Sequence, residues 1–275
     1  MKKLSYYIML LGIVFFTSCE EFLDQVPKHN LTLDNAVTDY SGGKNILNGM
    51  YAIVASSSEF GGATWCRLSS QGGFYSSYTA HFNMSYKEGF NDMNGTWKSY
   101  YTLVNSANAA IEAISNLAEN KSPTLERKQE MLAEARCMRG WDYINLFWFF
   151  GRWWDADDSA YGILYRDKMS NLSNLQVSRL SVGESYTKIF EDLDDAIANM
   201  PDFTTSRYLS RQMAQVIKAK ILLYRGVMRG STQDLKDALM LVETVKRAAP
   251  AAWQMETDIA VMYKAGWDSD EGLWA

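Results

Sequence analysis

Histidine is nearly missing from this 275-residue chain, which has only His29 and His81. A Ser-His-Asp or Cys-His apparatus needs an imidazole placed as base. His29 falls in an N-terminal arm, and His81 lies among the aromatics of a glycine-rich stretch, either as a ligand contact or as an ordinary surface residue. Cysteine is scarce as well, at three, and no Cys/His cluster has the spacing of a zinc site. Asp155-Ala156-Asp157-Asp158-Ser159 opens like a calcium loop but lacks the glycine and the closing glutamate, which leaves a solvated acidic turn. The carboxylates Glu191, Asp192, Asp194 and Asp195 diverge around a helix axis and cannot face one glycosidic bond, so they read as a solvated face. Basic runs are absent and the net charge is −5, which argues against nucleic acid as a partner. The inventory points away from an enzyme and implies no metal or cofactor.

What is present begins with a leader. Lys2 and Lys3, an apolar run from Tyr6 to Phe16, and the small residues Thr17 and Ser18 make residues 1–18 a secretory signal. The run is shorter than the about 20 residues that cross a bilayer. Cys19 stands directly after the expected cut, where a bacterial lipoprotein carries its lipid; ordinary cleavage with an incidental cysteine is the alternative. With Cys19 lipidated, Cys66 and Cys137 either pair in an oxidising compartment or remain two unpaired buried thiols, Cys137 inside an apolar helical pattern. Hydrophobic residues reach 47%, enough for a sizeable core.

Residues 19–96 read as a lipid-bearing arm, short helices and an aromatic loop region. A helix is expected over Ser41–Val54. Over 56–96 the pairs Gly61-Gly62 and Gly72-Gly73, with Gly89 and Gly95, punctuate a stretch without periodicity, which predicts a long loop. Its aromatics Trp65, Phe74, Tyr75, Tyr78, Phe82 and Tyr86 are not at helical spacing and are candidates to stack on a ligand.

Residues 97–250 read as a helical scaffold. Trp97, Tyr101, Val104, Asn108, Ile111 and Ile114 recur at spacings of three and four. Ser122-Pro123 predicts the start of the next helix, which Gly151 ends. Ser181 and Glu184 form a capping box, and Pro201 stops that helix. The following helix is expected over Tyr208–Val227, closed by Gly230, and Ser231 caps another over Leu235–Ala248. The result is an all-α fold of irregular hairpins of the tetratricopeptide type (TPR-like). The aromatic run Phe147–Phe150 with Trp153-Trp154 is either core packing between hairpins or a patch facing a partner.

In this order the residues resemble the SusD/RagB family of outer-membrane nutrient-binding lipoproteins. Cys19-Glu20-Glu21-Phe22-Leu23-Asp24 with Pro27 is similar to the family's start. Trp97, Tyr101, Asn105 and Asn108 resemble its Trp–Tyr–Asn helix, and Ala133-Glu134-Ala135-Arg136-Cys137-Met138-Arg139-Gly140-Trp141-Asp142-Tyr143 its most recognisable stretch. Tyr186, Ile189, Asp192, Leu193 and Ala196 fit the next helix, Ala214, Lys218, Ala219 and Leu222 the one after. Glu271-Gly272-Leu273-Trp274 resembles a strand start about midway through members. Gly140, Cys137 and Trp153-Trp154 depart from the pattern.

The resemblance implies a SusD-like α/α superhelix that carries no catalysis. It implies a protein lipidated at Cys19 and held on the cell's outer membrane, touching the membrane through that anchor alone. It would bind an oligo- or polysaccharide and deliver it to a SusC-type TonB-dependent transporter. A helical-repeat envelope adaptor without sugar binding is the competing reading. Under the glycan-binding reading Trp65, Phe74, Tyr75, Tyr78, His81 and Phe82 are the ligand-contact candidates. Members are about twice as long, so residues 251–275 would open a truncated second half. A chain of this length would offer one side of a two-sided site, bind weakly or not at all, and be prone to aggregate.

Overall fold

A computed structural model describes residues 37–74, 91–118, 124–248 and 258–266, with the single residues 83, 85, 87, 269, 272 and 274. The leader, Cys19, both histidines, and Glu271 and Leu273 of the stretch expected to open a strand lie outside the described set.

Among the described residues the regular structure is eight α-helices and one 3-10 turn, with no strand. In chain order these are α1 (Tyr40–Ser56), the turn Ser58–Phe60, α2 (Gly62–Gln71), α3 (Asn91–Ser115), α4 (Leu125–Phe150), α5 (Val182–Asn199), α6 (Arg211–Arg229), α7 (Thr232–Ala248) and α8 (Ile259–Ala265). The chain's ends of helix are written in its caps. Asp39 accepts from Gly42 N–H at the start of α1. Ser181 and Glu184 complete the capping box of α5. Gly230, at φ 65°, ends α6 in the left-handed region, and the Ser231 hydroxyl then accepts from Asp234 N–H to open α7. Several boundaries differ from expectation: α4 is capped by Thr124, not Ser122, α3 opens at Asn91 rather than Trp97, α6 at Arg211 rather than Tyr208, and α7 at Thr232 rather than Leu235.

Two hairpins, α4–α5 and α6–α7, use the same clamp. Arg139 donates from Nε and Nη2 to the two oxygens of Asp192, at 2.8 and 2.7 Å. Arg225 does the same to Asp234, at 2.7 and 2.6 Å. In each case glycine follows the arginine and leucine follows the aspartate. A Cβ on Gly140 would lie 3.3 Å from Leu193, and one on Gly226 3.0 Å from Leu235, so the missing side chains let the helices close together. The second helices read Asp192-Leu193-Asp194-Asp195-Ala196-Ile197 and Asp234-Leu235-Lys236-Asp237-Ala238-Leu239, an internal repeat. It supplies the small-residue contact of a TPR-like hairpin without that motif's usual wording. Asp192 is thus buried, which corrects the solvated-face reading. Its neighbours Glu191, Asp194 and Asp195 pair with Lys188, Lys218 and Arg136.

α3 packs beside α4, and α1 lies across both. The core between them holds Leu47, Met50, Leu103, Ala107, Ile114, Met138, Ile144 and Phe147. α6 packs on α5 and reaches α4. Residues 151–181 contain no helix or strand, and helix side chains hold this segment by its backbone. Tyr101 Oη donates to Leu164 O (2.7 Å), Asn105 Oδ1 accepts from Ser170 N–H (2.7 Å), and Asn108 Nδ2 donates to Arg166 O and Lys168 O (3.0 and 3.2 Å). Tyr143 Oη both donates to Arg166 O and accepts from its N–H. The residues that carry the family resemblance therefore do structural work here: Asn108 Oδ1 also accepts from Arg139, joining the segment to the clamp.

Candidate functional site

The stretch over 56–96 is not the unbroken loop that its glycines predict. It contains the 3-10 turn, all of α2, and the start of α3. α2 escapes a periodicity search because its faces are inverted. Arg67 and Ser70 point inward, whereas Trp65 and Leu68 are exposed. What holds the inward face is polar. Arg67 and Glu59 form a two-pronged ion pair, Thr96 donates to the same carboxylate at 2.8 Å, and Arg67 also reaches Thr96 at 2.6 Å. Arg67 first, against the cost of burial, and Thr96 after it hold the Glu59 carboxyl below its ordinary pKa. The cluster joins the 3-10 turn, α2 and α3 at one point.

On the outward side, Phe60, Gly61, Gly62, Thr64, Trp65, Cys66 and Leu68 surround an open depression of about 540 Å³. Nothing approaches the positions a Cβ would take on Gly61 and Gly62, which leaves bare backbone at the rim. Trp65 is 69% exposed. Phe60 rests on Tyr100 and Trp141 (ring centroids 4.7 and 5.8 Å), and Trp141 meets Trp274 edge-on at 4.9 Å. α2 ends on Gly73, at φ 79°, with Gly73 N–H bonded to Ser70 O and Phe74 N–H to Ser69 O. That paired ending sets Phe74 outward, 89% exposed.

Two of the six ligand-contact candidates, Trp65 and Phe74, are thus described, one on α2 and one just past its end. Tyr75, Tyr78, His81 and Phe82 lie outside the described residues, as does Tyr86. Phe60, Leu68 and Cys66 were not anticipated as lining. Glu59 and Arg67, opposite charges eight residues apart across Gly61-Gly62, were the available signal. Cys66 and Cys137 are both unpaired, and burial pushes the Cys137 thiol up, away from reactivity.

The aromatic run at the end of α4 packs between helices, as the core reading expects. Phe147 is buried against Tyr186 (5.0 Å), Phe149 and Phe150 pack on Tyr100 and Trp97 of α3, and Trp148 meets Tyr224 of α6. Trp154 is exposed. In the acidic turn after it, Arg152 pairs with Asp155 (3.0 Å) and Arg229 with Asp157 (2.6 Å).

A SusD-like family model, described as starch-binding associating with outer membrane, matches residues 21–222. The chain belongs to the SusD-like family. A SusD-like protein of Bacteroides ovatus is 28% identical over 148 residues, which is 53% of this chain and 25% of that one. A SusD superfamily protein from Bacteroides thetaiotaomicron superposes with a TM-score of 0.69 at 17% identity, over 82% of this chain and 49% of that one. A surface glycan-binding protein A from Bacteroides fluxus does so at 0.63 and 19%, over 86% and 50%. At these identities the likeness to solved structures is one of fold, the TPR-like helical fold of the superfamily. The chain spans about half the length of those solved relatives and a quarter of the curated one. No helix among the described residues is long and apolar enough to cross a membrane.

Proposed function

We propose that the protein is a cell-surface lipoprotein that binds oligo- or polysaccharide and passes it to a SusC-type TonB-dependent transporter. It acts by capture, without catalysis. Cys19 carries its lipid anchor in the outer membrane. The observation that supports this reading best is Trp65. A largely exposed indole stands beside a depression, on a helix fixed from behind by a partly buried ion pair. Such a ring offers a flat apolar face to a pyranose at little cost in side-chain freedom. Gly61 and Gly62 have no side chains to crowd a sugar at the rim. Family membership and the fold shared with a surface glycan-binding protein favour the same reading.

The test is a glycan panel measured by saturation-transfer NMR, which detects weak binding, with calorimetry for any hit. At least one oligosaccharide should bind, and its ring protons should be saturated from aromatic resonances. Trp65→Ala should remove that signal. A panel without any hit would sink the proposal.

A further inference from the structure

The internal repeat makes α4–α5 a template for α6–α7. With Arg139 matched to Arg225 and Asp192 to Asp234, Glu134 corresponds to Lys220, Cys137 to Leu223, Met138 to Tyr224, Asp194 to Lys236, and Met200 to Val242. In α4–α5 the groove between the two helices is closed. Cys137 and Met138 are 0% exposed and Met200 is 1%. In α6–α7 the matching groove is open, about 400 Å³ in volume and lined by apolar side chains of both helices. Leu223, Tyr224 and Val242 there are 46%, 41% and 48% exposed. No described helix lies over it.

What closes the first groove shows what suits the second. Helices flank α4–α5: α1 crosses α4, and α6 packs on α5. Each brings a lysine to a carboxylate: Lys44 of α1 to Glu134 (3.3 Å), and Lys218 of α6 to Asp194. At the same two places α6–α7 carries Lys220 and Lys236, so both signs are reversed. Lys220 lies over Trp148 and Tyr224 (5.2 and 5.8 Å), while Lys236 is exposed.

We infer that the α6–α7 groove is a docking surface for an amphipathic helix of a partner protein, with an apolar stripe flanked by acidic residues. The stripe covers Leu223, Leu239 and Val242 and removes their surface from water. The acidic flank meets Lys220 and Lys236, reproducing the template's ion pairs with the charges exchanged. Opposite signs fix the helix's register, while the apolar contact supplies affinity.

The test uses the full chain and two helical peptides of the length of α6, 19 residues. They share one leucine stripe and differ in carrying Glu or Lys along its flank. By fluorescence anisotropy the Glu peptide should bind about tenfold or more tighter than the Lys peptide. The double reversal Lys220→Glu with Lys236→Glu should invert that preference. Val242→Asp should abolish binding of both while far-UV circular dichroism stays unchanged, since the residue is exposed. Equal affinity for the two peptides, or none, would overturn the inference. So would concentration-dependent self-association that Val242→Asp removes, because a second copy would then be the occupant.

Discussion

Asp192 receives two parallel hydrogen bonds from Arg139, and both side chains are almost fully enclosed between α4 and α5. Burial raises the pKa of Asp192 and would lower that of Arg139. Their mutual bonds oppose both effects, and the geometry is that of an ionised pair. Removing one partner strands the other charge away from water. Asp192→Asn and Arg139→Met should each cost about 3–5 kcal/mol, read from urea unfolding midpoints. Arg139→Met combined with Asp192→Leu should cost clearly less than either change alone. A double variant as damaged as the sum of the two would show that the pair is not the unit that matters.

Asp142, next to this clamp on α4, is the opposite case. Its carboxyl is wholly buried, and neither oxygen makes a hydrogen bond of ordinary geometry. Burial raises its pKa well above the usual carboxylate value, against a smaller pull from the Val104 backbone. The folded state therefore holds a proton that the unfolded chain gives up. The resulting cost is absent below the unfolded pKa, about 4, and grows as pH climbs toward the folded value. Asp142→Asn should match wild type in thermal midpoint near pH 4 and exceed it by a widening margin toward neutrality. A margin independent of pH would refute this.

Glycine has opposite meanings at two positions. A Cβ on Gly162 would sit 2.2 Å from Ser185 Oγ and 2.4 Å from the carbonyls of Leu180 and Ser181. Gly162→Ala should destabilise by about 1–3 kcal/mol or more. Gly49 lies inside α1 with open space around it, so Gly49→Ala should stabilise by about 0.5–1 kcal/mol. Denaturant titrations of the two variants should move in opposite directions.

Trp65→Ala should leave the thermal midpoint within about 1 °C of wild type, because an exposed ring contributes little to the core. It should still weaken any glycan that the wild type binds. A large fall in stability would mean that the indole serves packing.

Cys19→Ala should release the protein from the outer-membrane fraction. Persistence of the variant in that fraction, at the wild-type level, would place the tether elsewhere.

Much of the helical scaffold was readable from residue order. Ser181 with Glu184, Gly151 and Gly230 mark helix ends because each satisfies or frees a terminal backbone group. α2 was not readable, since its buried face is Arg67 and Ser70 and its apolar residues look outward. Periodicity finds a helix whose greasy side faces the core, and this one is held by an ion pair instead. The clamp was hidden for a related reason. Asp192 sits in an acidic run in which Glu191 and Asp194 face solvent, and its partner is 53 residues away. Of the candidate site, the exposure of Trp65 and Phe74 was legible in their glycine-rich surroundings. The contribution of Phe60 was not, because it depends on Tyr100 and Trp141 beneath it.

The segment 151–181 is gripped by its carbonyls and amides, from side chains that belong to α3 and α4. Many of its own side chains, Leu172 and Leu175 among them, face outward. Sequence is therefore loosely coupled to shape at the outward positions of 167–177, whereas Gly162, the buried Ile163, Tyr165 against Tyr143, Arg166 and Arg179 are tied to the scaffold. A single change at Asn108 would loosen the grip on residues 166–168 and take a bond from Arg139. Variation should thus be cheap at those outward positions and dear on the helices beneath them. The outer surface presented by 167–177 can then diversify without asking anything new of the scaffold.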